Sequence, residues 1–156
     1  PMSNTDSKHA YRVQGREYAI GTYNIASDTV AYLKEDGTRD IYYAEKGTTH
    51  SSTQSVILES YKKVGTIPAY GNNAVADGYV GDFGIDAESG VWHPGNKGSG
   101  SSQGVGDYLY AGGTASDTLR EYLQGGYLVF GTYAGAGYLS LRNALSGGYW
   151  HYAACD

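Results

Sequence analysis

The sequence predicts an α+β domain with two helices, small antiparallel sheets and much irregular backbone. Three observations predict it. Residues 29–43 hold two β-forming runs around an Asp-Gly turn signal. Residues 51–64 and 115–124 each carry apolar side chains at helical spacing. Between them lies a stretch dominated by Gly, Asp, Asn and Ser.

The chain has 156 residues, enough for one core. Residues 1–10 read as a disordered tail, with Pro1 as a protease-cleavage scar ahead of Met2. Residues 11–156 read as a single domain. Residues 11–48 are expected to be β-structure. Tyr18, Ile20 and Tyr23 are β-formers, and Thr29–Leu33 and Ile41–Tyr43 flank Glu35-Asp36-Gly37-Thr38. Asp-Gly between such runs marks a hairpin, because the turn needs positive φ.

The first helix is placed at 51–64. Ser51 and Gln54 have capping-box spacing. Val56, Ile57, Tyr61 and Val64 form the stripe, and Gly65 sits where a C-terminal cap belongs. Residues 71–113 read as a long loop region with short strands at most, Trp92 being a candidate buried anchor. The second helix is placed at 115–124, with Thr114 or Ser116 as cap, Asp117 in the first turn, and Leu119, Tyr122 and Leu123 buried. Gly125-Gly126 ends it.

Composition excludes several functions. The net charge of −5 argues against nucleic acid, which calls for a basic face. No apolar run approaches the ~18 residues of a membrane span. No secretory signal follows Met2. Cys155 is the single cysteine, so no intrachain disulfide forms, and no common Cys/His zinc spacing occurs.

Local motifs supply no catalytic set. Asp82-Phe83-Gly84 matches the kinase metal-binding tripeptide, but no ATP loop or catalytic loop accompanies it. Gly98-Ser99-Gly100 with Gly104 falls one residue off a dinucleotide fingerprint and follows no strand, so it reads as linker. Asp77, Asp82, Asp86 and Glu88 cluster without EF-hand spacing. Turn-forming aspartate is the ordinary reading and a Ca²⁺ site the minor one. His9, His50, His93 and His151 are scattered. The chain is expected to be non-enzymatic, with no cofactor and no metal.

The C-terminal segment differs from the rest. Residues 126–156 contain no Lys, Glu or Gln, and their charged side chains are Arg142 and Asp156. Tyr, Gly, Ala, Ser and Leu fill them. The whole chain carries 24 Gly and 17 Tyr but 2 Phe. Antibody recognition loops use the same chemistry: Tyr offers large contact area with few rotors, and Gly and Ser let the backbone adapt.

Gly125-Gly126, Gly135–Leu141, Asn143–Ser146, Trp150 and Ala153-Ala154 resemble the C-terminal variable region of the target proteins of diversity-generating retroelements, which include phage tropism determinants. In that family a reverse transcriptase mutates template adenines, mostly in Asn codons. The family's spacing puts the diversified, ligand-binding positions at Tyr127, Val129, Phe130, Gly131, Tyr133, Ser140, Arg142, Asn143, Gly147, Tyr149, His151 and Tyr152. Adenine mutation of the first two codon positions cannot yield Lys, Glu, Gln, Met or Trp, and none stands there. Leu128, Leu145 and Ala153 depart from the family's usual Trp, Pro and Gly.

The resemblance covers about residues 125–156. It implies a C-type lectin fold with the variable side chains on one surface and Trp150, Leu139 and Leu141 packed beneath, Ser140 and Arg142 pointing the other way from the two leucines. The calcium and sugar motif of lectins is absent. The resemblance further implies a protein or glycan partner on a host or neighbouring cell, display on a virion or cell surface, and a possible trimer. A fixed Tyr/Gly-rich subunit interface of a structural virion protein is the alternative.

Overall fold

The structure is a computed structural model. It describes residues 11–13, 16–20, 24–70, 77–102, 104–111, 117–126, 137–145 and 153–155. The tail expected at 1–10 lies outside them.

The N-terminal β-structure is present as expected. Strands β1 (Tyr11–Val13) and β2 (Arg16–Ile20) form a separate antiparallel pair. Strands β3 (Asn24–Leu33) and β4 (Arg39–Tyr43) pair antiparallel, Val30 facing Tyr42 and Leu33 facing Arg39. Gly37 takes φ +80° in the turn between them. Its N–H donates to the Lys34 carbonyl, as the Asp-Gly signal required.

The two expected helices are not both there, and the expectation of an α+β lectin-type fold is overturned. The chain is mostly β, with one short helix among the described residues. Helix α1 covers Gln54–Ser60, and the backbone turns extended at Tyr61. Thr53 is its N-cap without a side-chain bond, while the Ser51 hydroxyl accepts the Thr53 N–H. Strand β5 (Lys62–Ile67) follows at once. Ile57, Tyr61 and Val64 are buried as expected but from different elements, and Val56 is exposed. Gly65 caps nothing; it lies inside β5.

The second expected helix is strand β10, Thr118–Gln124. Leu119, Tyr122 and Leu123 are all buried, yet on a strand. β10 lies between β3 and a later strand and is covered on both faces, Leu119 in one cluster and Tyr122 in the other. A strand buried on both sides loses the polar/apolar alternation that would distinguish it from a helix. A register shift between Glu121 and Leu123 disturbs the pattern further.

The loop-rich middle yields only short strands, as expected: β6 (Gly78–Tyr79), β7 (Phe83–Ile85), β8 (Trp92–Pro94) and β9 (Tyr108–Tyr110). β11 (Leu139–Ser140) and β12 (Ala153–Cys155) complete the order. The main sheet runs β5-β4-β3-β10-β11-β9-β6 and curls into a half-barrel. β12 runs parallel to the start of β3, Ala153 beside Asn24. β7 and β8 form their own hairpin.

The core sits on both faces of the sheet. Val30 packs with Ile57, Tyr61 and Leu119 under α1, while its neighbour Ala31 packs with Ile41, Ile67, Leu109, Tyr122, Leu139 and Leu141 inside the curl. Burying each such aliphatic side chain stabilises the fold by about 1.5–3 kcal/mol. Leu139 and Leu141 are therefore core residues, as the sequence suggested.

The β7–β8 hairpin covers the outer strand β5 through His93 on β8. A Cβ at Gly65 of β5 would lie 2.3 Å from His93 Nε2, and one at Gly84 of β7 would lie 2.5 Å from Cε1. The imidazole thus fills a slot that only two glycines leave open, with Nδ1 3.0 Å from the Pro94 carbonyl. Trp92, expected as a buried anchor, is half-buried and packs edge to face with Phe83 (5.0 Å) and Tyr122 (6.3 Å). The Tyr122 hydroxyl donates to the Trp92 carbonyl, and burial pushes its ionisation far up.

Candidate functional site: the bulge at Arg142

β11 lies between β10 and β9, antiparallel to the first and parallel to the second. Leu123 faces Ser140, and farther along Arg120 bridges Ala144. Three steps on β10 therefore match four on the C-terminal segment, so one residue is extra between Ser140 and Ala144. This is a β-bulge, which re-aims the side chains at its turn. The Glu121 N–H donates to the Asn143 carbonyl at 3.0 Å and the Leu145 N–H to the Leu119 carbonyl at 3.4 Å, which carries the pairing past the bulge.

Burial changes abruptly there. Tyr138, Leu139, Ser140 and Leu141 are all buried, Arg142 is exposed and Asn143 half-buried. The expected alternation, with Ser140 displayed beside Arg142, is corrected. Ser140 is 2% exposed, and Tyr138, Leu139 and Leu141 are buried as well, so both faces of the segment are covered here and alternation gives no exposed side. Of the expected ligand-binding positions, Arg142 and Asn143 thus reach solvent together. Tyr127, Val129, Phe130, Gly131, Tyr133, Gly147, Tyr149, His151 and Tyr152 lie outside the described residues, as does Trp150.

The Arg142 guanidinium carbon lies 5.3 Å from the centroid of the Tyr110 ring, and its Nη1 donates to the Tyr110 hydroxyl. Tyr110 comes from β9, where the Leu141 N–H donates to its carbonyl at 2.9 Å. On the other side Arg120 Nη1 donates to the Arg142 carbonyl at 2.9 Å. Arg120 Nε is buried without a partner, and burial lowers the pKa of this guanidinium. Sequence reasoning missed both Tyr110 and Arg120. The Tyr-Leu-Tyr alternation of β9 was a signal for the first; the second was hidden in a segment taken for helix.

The root of the segment is fixed by Asp107. Its Oδ2 accepts the Gly137 N–H at 2.8 Å, while Oδ1 is buried without a partner. Burial raises its pKa and the Gly137 bond only partly offsets this. A Cβ at Gly137 would meet Phe83 and Asp107 at 2.4 and 2.5 Å, so the close approach requires glycine.

The acidic residues of the middle region do not converge. Asp77 accepts the Ala111 N–H, Asp82 binds Asn96 through N–H and side chain, Asp86 binds Ser89, and Glu88 pairs with Lys62. The bonds from Asn96 and Ser89 hold Asp82 and Asp86 below the usual carboxylate range. Among the described residues no group of three or more metal-ligating side chains exists. The turn-forming reading holds for Asp86, bound to Ser89 three residues on, whereas Asp77, Asp82 and Glu88 are held by partners 34, 14 and 26 residues away. An open groove of about 360 Å³ lies on the α1 side, lined by Val30, His50, Ser51, Ser52, Tyr61 and Leu145.

Comparison with protein-family models, with curated proteins and with solved structures finds no match.

Proposed function

We propose that the chain is a non-enzymatic binding protein whose C-terminal segment displays a diversified surface to a protein or glycan ligand, generated by a diversity-generating retroelement. The observation that carries the reading is the change at the bulge. Tyr138, Leu139 and Leu141, which the resemblance treats as constant, are core residues; Arg142 and Asn143, which it treats as variable, reach solvent. A surface built to vary must be separable from the core that holds it; the bulge separates Leu141 from Arg142 and Asn143 within one step, while Ser140, also marked variable by the resemblance, stays with the core. Tyr-rich, charge-poor composition suits ligand contact at low desolvation cost. Avidity from arrayed copies would add to weak individual contacts.

Sequencing many clones from one source tests it. Substitutions concentrated at the proposed positions, with Leu139 and Leu141 unchanged, are the expected result. Even drift along 125–156 would instead indicate a fixed surface. Ser140 is the informative position, since the structure buries it while the family spacing marks it as variable.

A further inference from the structure

We infer that the groove on the α1 side is a pocket for a neutral peptide segment of a protein partner, with an aliphatic side chain on its floor and a main-chain carbonyl at its hydroxyls. The inference rests on the chain being a binding protein, and it names the chemistry of one part of the ligand.

Three separate parts of the chain build the groove. Val30 comes from β3, His50, Ser51 and Ser52 precede α1 while Tyr61 ends it, and Leu145 follows the bulge. The Ser51 N–H donates to the Tyr61 hydroxyl at 3.1 Å, which ties the approach to α1 to its exit. The Leu145 N–H donates to the Leu119 carbonyl at 3.4 Å. Both walls are thus held by backbone donors before a ligand arrives, which lowers the cost of binding.

The hydrogen bonds select the ligand. The Tyr61 hydroxyl already accepts one N–H, and the Ser51 hydroxyl accepts the Thr53 N–H at 3.0 Å. Among the described residues no acceptor takes the hydrogen of either hydroxyl. A pair of such groups calls for an acceptor, and a peptide carbonyl is an acceptor only. A sugar hydroxyl brings a hydrogen of its own that needs a further partner. The floor of Val30, Leu145 and the Tyr61 ring suits an aliphatic side chain. The lining holds no carboxylate, ammonium or guanidinium, and Glu121, opposite Val30 in the pairing, is buried and outside it. A charged group entering here would lack a counter-charge, so the ligand is neutral.

Size and position agree. About 360 Å³ lies near the small end of the roughly 300–1,000 Å³ typical of ligand pockets, room for one side chain and its peptide unit. Leu145 stands two residues beyond Asn143, so the groove adjoins the residues that reach solvent past the bulge. None of its lining residues is a proposed variable position. The groove is therefore a constant anchor, and the variable residues beside it set which partner is held.

The experiment is an NMR titration of the full chain with N-acetyl-L-leucinamide, and separately with N-acetylglucosamine. Saturable shifts of the Ser51 and Tyr61 amide signals and the Leu145 methyl signals by the leucinamide alone are expected, with a Kd on the order of millimolar for so small a probe. Tyr61→Phe should weaken binding about fivefold, the value of one neutral hydrogen bond. Leu145→Ala should weaken it about fourfold, as for about one methylene of lost contact. Circular dichroism should be unchanged in both. No saturable shift at these signals, undiminished binding in both variants, or equal saturation by N-acetylglucosamine would overturn the assignment. Clone sequencing separates the two readings: scatter at the variable positions without leucinamide binding sinks the peptide pocket alone, and leucinamide binding with even drift leaves a peptide pocket beside a fixed surface.

Discussion

Arg120 bridges Ala144 although Leu123 faces Ser140, and this one-residue slip is what brings Arg142 out of the sheet. Without it the segment would continue along β10 in the register that buries Ser140 and Leu141. The bulge therefore divides residues 138–143 into a packed part, 138–141, and a part that reaches solvent, 142–143, and that division is measurable.

Leu141→Ala should cost about 2–5 kcal/mol, the usual range for emptying a filled core position. Arg142→Ala, one residue on, should cost no more than about 1 kcal/mol, since an exposed cation–π contact contributes about that much. Urea denaturation of the two variants checks the contrast. Similar losses would show that Arg142 is part of the packing.

Gly65→Ala should destabilise by about 1–3 kcal/mol, because the added Cβ drives the His93 ring out of its slot. His93→Ala in the same chain should recover part of the loss. The coupling of the double mutant is the quantity to measure. Strict additivity would mean that His93 does not join the hairpin to β5.

Tyr122→Phe removes one hydroxyl and leaves the Trp92 carbonyl without its donor. A loss of about 1–3 kcal/mol is expected. Trp92 fluorescence should report the same unfolding midpoint as circular dichroism, since the ring packs directly on Tyr122.

Two buried carboxylates should respond to pH in opposite senses. Burial pushes Asp40 up, but hydrogen bonds from Lys63 and Thr66 and the charges of Lys63 and Lys34 outweigh it and hold the group low. Its folded pKa lies below the unfolded one, so its contribution is present above the unfolded value and lost as pH falls through the folded value. Asp107 is raised, chiefly by burial. Its contribution is complete below the unfolded pKa and is lost as pH rises through the folded one. Asp107→Asn keeps an acceptor for the Gly137 N–H, so its stability relative to the parent should grow as pH rises across the carboxylate range. Asp40→Asn should show its largest deficit at neutral pH, shrinking in acid. Denaturant midpoints from acid to neutral pH check both; parallel curves for parent and variant would refute the assignment concerned.

The parts of the fold governed by local chemistry were legible in the sequence. Asp36-Gly37 specified the β3–β4 turn through positive φ. The Gly- and Asp-rich middle could support only short strands, and Leu139 and Leu141 carried enough apolar weight to mark core. The parts governed by tertiary burial were not legible. Leu119, Tyr122 and Leu123 match one helical face, and only the presence of strands on both sides makes them β. Tyr61 and Val64 match the stripe begun by Ile57, but the chain leaves the helix at Tyr61 and pairs with β4 instead. At the site, Arg142 and Asn143 were legible as displayed positions. Ser140 was not, because strict alternation fails where a strand is covered on both faces and then bulges. Arg120 and Tyr110 belong to the site only through pairing across the sheet, which no local spacing encodes.

The most direct test of the central claim is the sequence of the coding locus and its flanks. A near-copy of the segment encoding 125–156 beside a reverse transcriptase gene, differing from it at adenines, is the expected result. A locus with no such copy and no reverse transcriptase would contradict diversification and leave a fixed binding surface around Arg142.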